Sequence, residues 1–322
     1  MTTACAPGKV ILFGEHAVVY GRPAIAVPVT KVRACATVED LSRGRGVRIC
    51  ACDLQCSLRL GETIEADHAA FPLATTVEHT LAWMGMEPAP DIALSVSSTV
   101  PIARGLGSGA AVATAVVRAL TRHQGRSPTR HQVSELVYQT EILHHGTPSG
   151  IDNSVIAFEQ PVFFVKGQPI EALEVGQPFW LVIGDTGIAS PTRVVVGDVR
   201  RAWEMEPALY ESLFDRIGSL AQRARQALAY GRMDELGELM DANQILLKAI
   251  KVSSPALDKL VVAARVSGAL GAKLCGAGRG GNMIALVPAE SARTVEDALK
   301  AAGATNTIVT EVQAGVAHAN RH

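Results

Sequence analysis

The sequence predicts an α+β protein of two domains, residues 1–184 and 185–322. Three observations carry that expectation. The first part mixes short β-branched runs with helical stripes, the strands dominating early. Residues 194–266 read as helix almost throughout, with breaks at Pro207, Gly231 and Ser253-Ser254-Pro255. After them come two apolar strands joined by a glycine-rich loop (272–287), a helix and a last strand, which could form one antiparallel sheet.

Composition narrows the class. A chain of 322 residues can build one large or two ordinary domains, each with its own core. Hydrophobic residues make up 48% and charged ones 19%, which suits a folded chain and excludes a disordered one. A formal net charge of −1 gives no field that would draw nucleic acid or an anionic membrane. Apolar runs are broken by charge well short of the roughly 18 residues a span needs. Residues 1–9 lack a leader pattern, so the cytoplasm is the expected compartment. There the six cysteines, Cys5, Cys35, Cys50, Cys52, Cys56 and Cys275, read as thiols. Cys50, Cys52 and Cys56 cluster, but the fourth ligand and the paired spacing of structural zinc are missing.

Taken in order, Val10–Phe13 is a short buried strand between Pro7-Gly8 and Gly14. Lys9 stands at its start, Glu15 and His16 just past its end, where polar groups serve a cleft or simply a solvated turn. Residues 24–29 and 32–38 read as two strands, 41–48 as a hairpin turn, and 47–60 as two more short strands. Residues 75–84 have helical spacing, and 92–96 alternate as a strand.

That strand leads into Pro101-Ile-Ala-Arg104-Gly105-Leu106-Gly107-Ser108-Gly109-Ala110-Ala111, followed at once by a helix-forming run. A glycine-rich loop opening a helix offers unpaired backbone N–H groups at the positive end of the macrodipole, a site for phosphate. It matches neither the Walker loop nor the dinucleotide fingerprint, so a plain loop before a helix stays open on this stretch alone.

The next helix, 129–145, steps at Val133, Leu136, Val137, Thr140 and His144. Glu141 lies on or beside that apolar face and needs a cation there: a basic side chain or a metal. Residues 146–153, Gly-Thr-Pro-Ser-Gly-Ile-Asp-Asn, form a tight loop whose Asp152 could equally cap a helix. Strands follow at 161–165 and 179–184, then the polar loop 185–193 at the domain boundary. Ser254 before Pro255 reads as an N-cap with proline at the first helical position.

Three stretches, 6–15, 101–111 and 273–281, resemble in this order the three motifs of the GHMP kinase superfamily. Gly8-Lys-Val-Ile-Leu-Phe-Gly-Glu-His-Ala-Val-Val-Tyr-Gly21 and His145-Gly-Thr-Pro-Ser-Gly-Ile-Asp-Asn153 look most like its mevalonate kinase branch. A lesser echo is Asn243-Gln-Ile-Leu-Leu with Val252-Ser-Ser-Pro-Ala-Leu-Asp-Lys-Leu260. The resemblance implies the two-domain GHMP fold, with a ferredoxin-like C-terminal domain, and phosphoryl transfer from ATP to mevalonate. It puts the catalytic base on Asp152 and the catalytic lysine on Lys9. It puts the magnesium ligands on Glu141 and Ser108, and the ATP phosphate loop on Pro101 and Arg104–Ala111. Lys9, Glu15, His16 and Asp152 fall near the substrate, with Thr192 a weaker candidate. One departure stands out: the superfamily usually has a second serine after Gly-Leu-Gly-Ser, and here that position is Gly109. Sister acceptors (phosphomevalonate, homoserine, a sugar) and a catalytically silent nucleotide-binding relative are the alternatives. A homodimer is also open, since sequence does not give the oligomeric state.

Overall fold

The computed structural model describes residues 1–62, 70–102, 104–145, 149–190 and 192–313. Gly146, Thr147 and Pro148 of the loop before Asp152 lie outside the described residues, as do Ala103 and Pro191. The chain forms two units, one from Met1–Gly8, Val32–Ile102 and Gly107–Glu159, the other from Lys9–Lys31, Ala103–Leu106 and Gln160–His322. These units are drawn differently from a single cut at 184/185, because the first two strands each contribute residues to both.

The first unit contains the start of β1 (Thr2–Phe13), the end of β2 (Ala24–Asp40), β3 (Val47–Ala51), β4 (Cys56–Arg59), helix α1 (Phe71–Trp83), β5 (Ile92–Ser98), and helices α2 (Ser108–His123), α3 (Arg130–His145) and α4 (Ile151–Phe158). Its strands run in the order β4-β3-β5-β2. Residues 41–46 therefore do not close a hairpin. β5 arrives some 45 residues later and slots in, parallel to β3 and antiparallel to β2. Asp91, just before β5, holds the connection by accepting from the N–H groups of Gly44 (2.9 Å) and Gly46 (2.6 Å). α2 buries a small-residue face including Ala111, Ala115, Val116 and Ala119, which lets α1, α3 and α4 pack closely against it. α3 begins with a reciprocal cap: Thr129 Oγ1 accepts from Gln132 N–H (3.2 Å) and Gln132 Oε1 from Thr129 N–H (2.8 Å).

Two further expectations are corrected here. Residues 24–29 and 32–38 are one strand of 17 residues; the exposed pair Thr30-Lys31 interrupts the apolar pattern but not the backbone. Cys5 and Cys35 are not thiols but a disulfide. β1 pairs with β2, which sets the two Cα atoms 4.1 Å apart, and an argument from compartment alone cannot see that pairing.

The second unit adds β6 (Val162–Phe164), β7 (Glu171–Ala172), β8 (Phe179–Asp185), α5 (Thr192–Met205), α6 (Pro207–Ala229), α7 (Met233–Ala249), α8 (Pro255–Val266), β9 (Gly271–Cys275), β10 (Asn282–Val287), α9 (Ala292–Ala301) and β11 (Asn306–Val312). β8 to β11 make the expected antiparallel sheet, in the order β11-β8-β10-β9. The helices break where the sequence says, and Ser254 caps α8 by accepting from Leu257 N–H. β9 is an edge strand, and an edge exposes unpaired amides. α7 covers it: Asp241 accepts from Ala272 N–H (2.9 Å) and Gln244 from Leu274 N–H (2.8 Å). The approach needs glycine at Gly271, where a Cβ would sit 2.1 Å from the Gly237 carbonyl oxygen. Among the described residues no helix is long and apolar enough to cross a membrane.

Candidate active site

In the second unit the site is built on the end of β1. Lys9 is buried, and its N–H donates to Leu106 O (2.9 Å), tying β1 to the start of the glycine loop. The residue before that, Arg104, lies 3.4 Å from the Asp185 carboxylate through Nε, and its carbonyl accepts from the buried Asn282 amide. The 104–106 segment is thus fixed at both ends.

Past β1 the chain turns sharply. Ala17 N–H donates to Glu15 O (2.7 Å), closing a three-residue turn around His16, whose φ of 61° and ψ of −50° are costly for any side chain. Packing holds the strain in place. His16 Nε2 donates to Ala277 O (2.9 Å), so the turn is latched to the second glycine-rich loop. Burial, with the Arg279 charge adding to it, pushes the ring down to about 4 against the pull of the Ala277 bond. His16 is therefore a neutral donor at neutral pH.

Glu15 is 1% exposed. Expected beside the substrate, it has both oxygens engaged within the fold. Oε1 takes the ammonium of the fully buried Lys273, and Oε2 accepts from Asn243 Nδ2 (3.3 Å). Lys273 also donates to Leu274 O (2.7 Å). Sequence reasoning missed Lys273. Its signal was a lone lysine in the apolar strand Ala-Lys-Leu-Cys, which burial obliges to find a carboxylate. Cys275 beside it donates to Ile11 O (3.4 Å), and burial raises its thiol to about 11, so it is no nucleophile. Thr192 opens α5 and is exposed.

In the first unit, Gly107 caps α2 at φ 73°, a left-handed conformation that glycine adopts without cost. Ser108 and Gly109 form the first turn; Ala110 and Ala111 behind them are buried. A cavity of about 320 Å³ opens there. Ser108 and Gly109 of α2 and Thr140 and Glu141 of α3 line it, with Asp53 and Ser98 as further polar residues and Leu54, Pro72 and Ile102 among the apolar ones. Pro101 precedes that loop and is half-buried. The first turn of α2 in the cavity wall is where a helix can take an anion, and the rest of the lining is largely apolar. Asp152 is half-buried in the first turn of α4, where the helix N-terminus favours a carboxylate. Asn153 anchors that turn to α3, donating to Ser134 O (3.0 Å) and Oγ (2.9 Å).

The structure thus brings Ser108, Gly109 and Glu141 to one cavity. In the other unit Lys9 is tied to Leu106, Glu15 to Lys273 and His16 to Ala277. A hard divalent cation wants oxygen donors, and the Ser108 hydroxyl and Glu141 carboxylate supply them. Among the described residues no three His, Cys, Asp or Glu cluster.

Residues 73–160 match the family described as GHMP kinases N terminal domain, and residues 224–305 the GHMP kinases C terminal family. The mevalonate kinase of Pyrococcus furiosus is 36% identical over 327 residues, covering 96% of this chain and 95% of its own. The chain belongs to the mevalonate kinase family. The mevalonate kinase of Thermococcus sibiricus is 37% identical over 323 residues, again with 96% and 95% coverage. Among solved structures, L. major mevalonate kinase in complex with R-mevalonate superposes with a TM-score of 0.84 at 27% identity, over 98% of this chain and 97% of that one. The two-domain GHMP kinase fold is therefore that of the mevalonate kinase family. Against the serine this superfamily usually carries, Gly109 leaves open space: a Cβ there meets nothing within 4 Å.

Proposed function

We propose that this chain transfers the γ-phosphoryl group of ATP to the 5-hydroxyl of mevalonate. The carrying observation is the cavity that sets the first turn of α2 beside Glu141, in a chain of the mevalonate kinase family. Amide groups of the glycine loop and α2 would hold the ATP phosphates. Phosphoryl transfer asks the protein mainly for in-line placement and neutralised charge. Glu141 and Ser108 would hold magnesium, which neutralises phosphate charge when bound. Asp152 would take the proton of the acceptor hydroxyl, and Lys9 would steady the developing alkoxide. His16 would present its turn to the acceptor, and Glu15 would fix that turn through Lys273. Thr192 is a weaker acceptor contact. The cytoplasm is the proposed compartment and a homodimer the proposed assembly, the latter checked by sedimentation.

The test is ADP release with mevalonate, phosphomevalonate, homoserine and galactose in parallel. Release with mevalonate is expected; release only with another acceptor overturns the substrate. Asp152→Asn should lose about 10²–10⁴-fold in kcat with ATP affinity kept, the usual scale for a positioned base. Turnover near that of the unmodified protein would remove Asp152 from this role.

A further inference from the structure

A second cavity in the first unit has no part in the reaction above. It measures about 420 Å³ and shares no lining residue with the one beside Glu141. Arg118 and Arg122 from the last turns of α2, Arg130 from the first turn of α3, and Glu159 after α4 line it. From Gly109 to Arg122 α2 rises about 20 Å, so one helix runs between the two cavities.

The charges here do not balance. Arg118 is pinned: its guanidinium donates to Cys5 O (3.1 Å), to Ala157 O (2.9 Å) and to Glu159. Glu159 is itself shared with Arg33 (3.3 Å) and sits at a left-handed φ of 52°. That one carboxylate is spent, and among the described residues Arg122 and Arg130 have no carboxylate partner. Arg122 near the C-terminus of α2 has an ordinary explanation in the helix dipole; Arg130 does not. A cation in the first turn of a helix stands at the repulsive end. Burial lowers the Arg118 guanidinium from its ordinary value; Glu159 opposes that, and the neighbouring Arg122 and Arg130 charges add smaller downward pushes. Arg122 and Arg130 line the cavity beside the pinned Arg118, and a guanidinium is the forked donor that phosphate oxygens fit. In the first turn of α3 the Gln132 N–H is already taken by Thr129 Oγ1, so what the turn adds is the amides of Arg130 and His131.

We propose that this cavity is a second anion site, which takes the phosphate end of a small organic phosphate. The volume exceeds what a diphosphate alone fills, leaving room for the organic part. Arg122 and Arg130 are the exposed, adjustable arms; Arg118 is the fixed floor.

Hydrogen exchange on the full chain with inorganic pyrophosphate tests it. Protection is expected at residues 118–133 and 157–159, besides any at the 105–112 loop. Arg122→Gln with Arg130→Gln should weaken the protection at 118–133 at least tenfold in pyrophosphate concentration. The same variant should leave protection at 105–112 and the kcat with mevalonate unchanged. Both side chains are exposed, so the fold should survive, which an unchanged Tm verifies. Protection absent from 118–133, or equal in the variant, overturns the proposal whatever happens at 105–112. A protected 118–133 with an inert 105–112 would sink the phosphate-loop assignment and leave this site standing.

Discussion

Lys273→Met tests the buried pair most directly. It removes the ammonium held against Glu15 at a place where the two side chains are 0% and 1% exposed. Methionine keeps most of the length, so little cavity opens. What remains for Glu15 is the 3.3 Å bond from Asn243. Breaking one half of a buried pair costs about 3–5 kcal/mol, because a charge is stranded without water. That is roughly two to nearly four powers of ten in the folding equilibrium. Glu15→Gln added to Lys273→Met strands nothing and keeps an oxygen for Asn243, so the double variant should recover more than half of the loss. Urea unfolding by tryptophan fluorescence measures this. Trp83→Phe in the background leaves Trp180 and Trp203, both in the second unit, as reporters. A single-variant cost below about 1 kcal/mol, or a double variant worse than the single, would refute the stranded-charge reasoning.

Other predictions concern the same surroundings. The buried His16 ring stays neutral down to about pH 4 while the unfolded chain takes its proton near 6.5. Stability should therefore be flat above pH 6.5 on this account and fall by about 3 kcal/mol between 6.5 and 4. His16→Gln should remove that slope in urea unfolding at stepped pH; an unchanged slope would place its cause elsewhere. Gly109→Ser fills open space in the first turn of α2 and should gain a few tenths of a kcal/mol in helix propensity. It should also lower the magnesium concentration for half-maximal rate severalfold, with KM for mevalonate unmoved, in a metal titration at fixed ATP. Glu141→Gln should raise that metal concentration at least tenfold in the same titration.

Local chemistry was the legible part. Pro207, Gly231 and Ser254-Pro255 punctuate the helices because each acts on its own backbone, and the Ser254 cap is seen as expected. That Ser108, Gly109 and Glu141 line one cavity agrees with the sequence placing a glycine loop at a helix start and a carboxylate beside the apolar stripe of the next helix. What stayed hidden depends on partners far away in sequence. The 41–46 turn looks like a hairpin until β5 arrives, and nothing within it foretells that strand. Cys5 and Cys35 are brought together by pairing of β1 with β2. Lys273 reaches Glu15 from 258 positions away, so their pairing was hidden as well.

The divided second unit has a consequence during synthesis. Glu15 and Lys273 are 258 positions apart. At about 5–20 residues per second, the carboxylate leaves the ribosome roughly 13 to 50 s before its counter-ion exists. The first unit's last segment ends at Glu159, so it can close early, whereas the other waits for β9, β10 and β11. In that interval the second-unit half of β2 can already pair with β6, while the end of β1 still lacks Lys273 and Cys275. That end of β1 is where a chaperone would first take hold of the growing polypeptide.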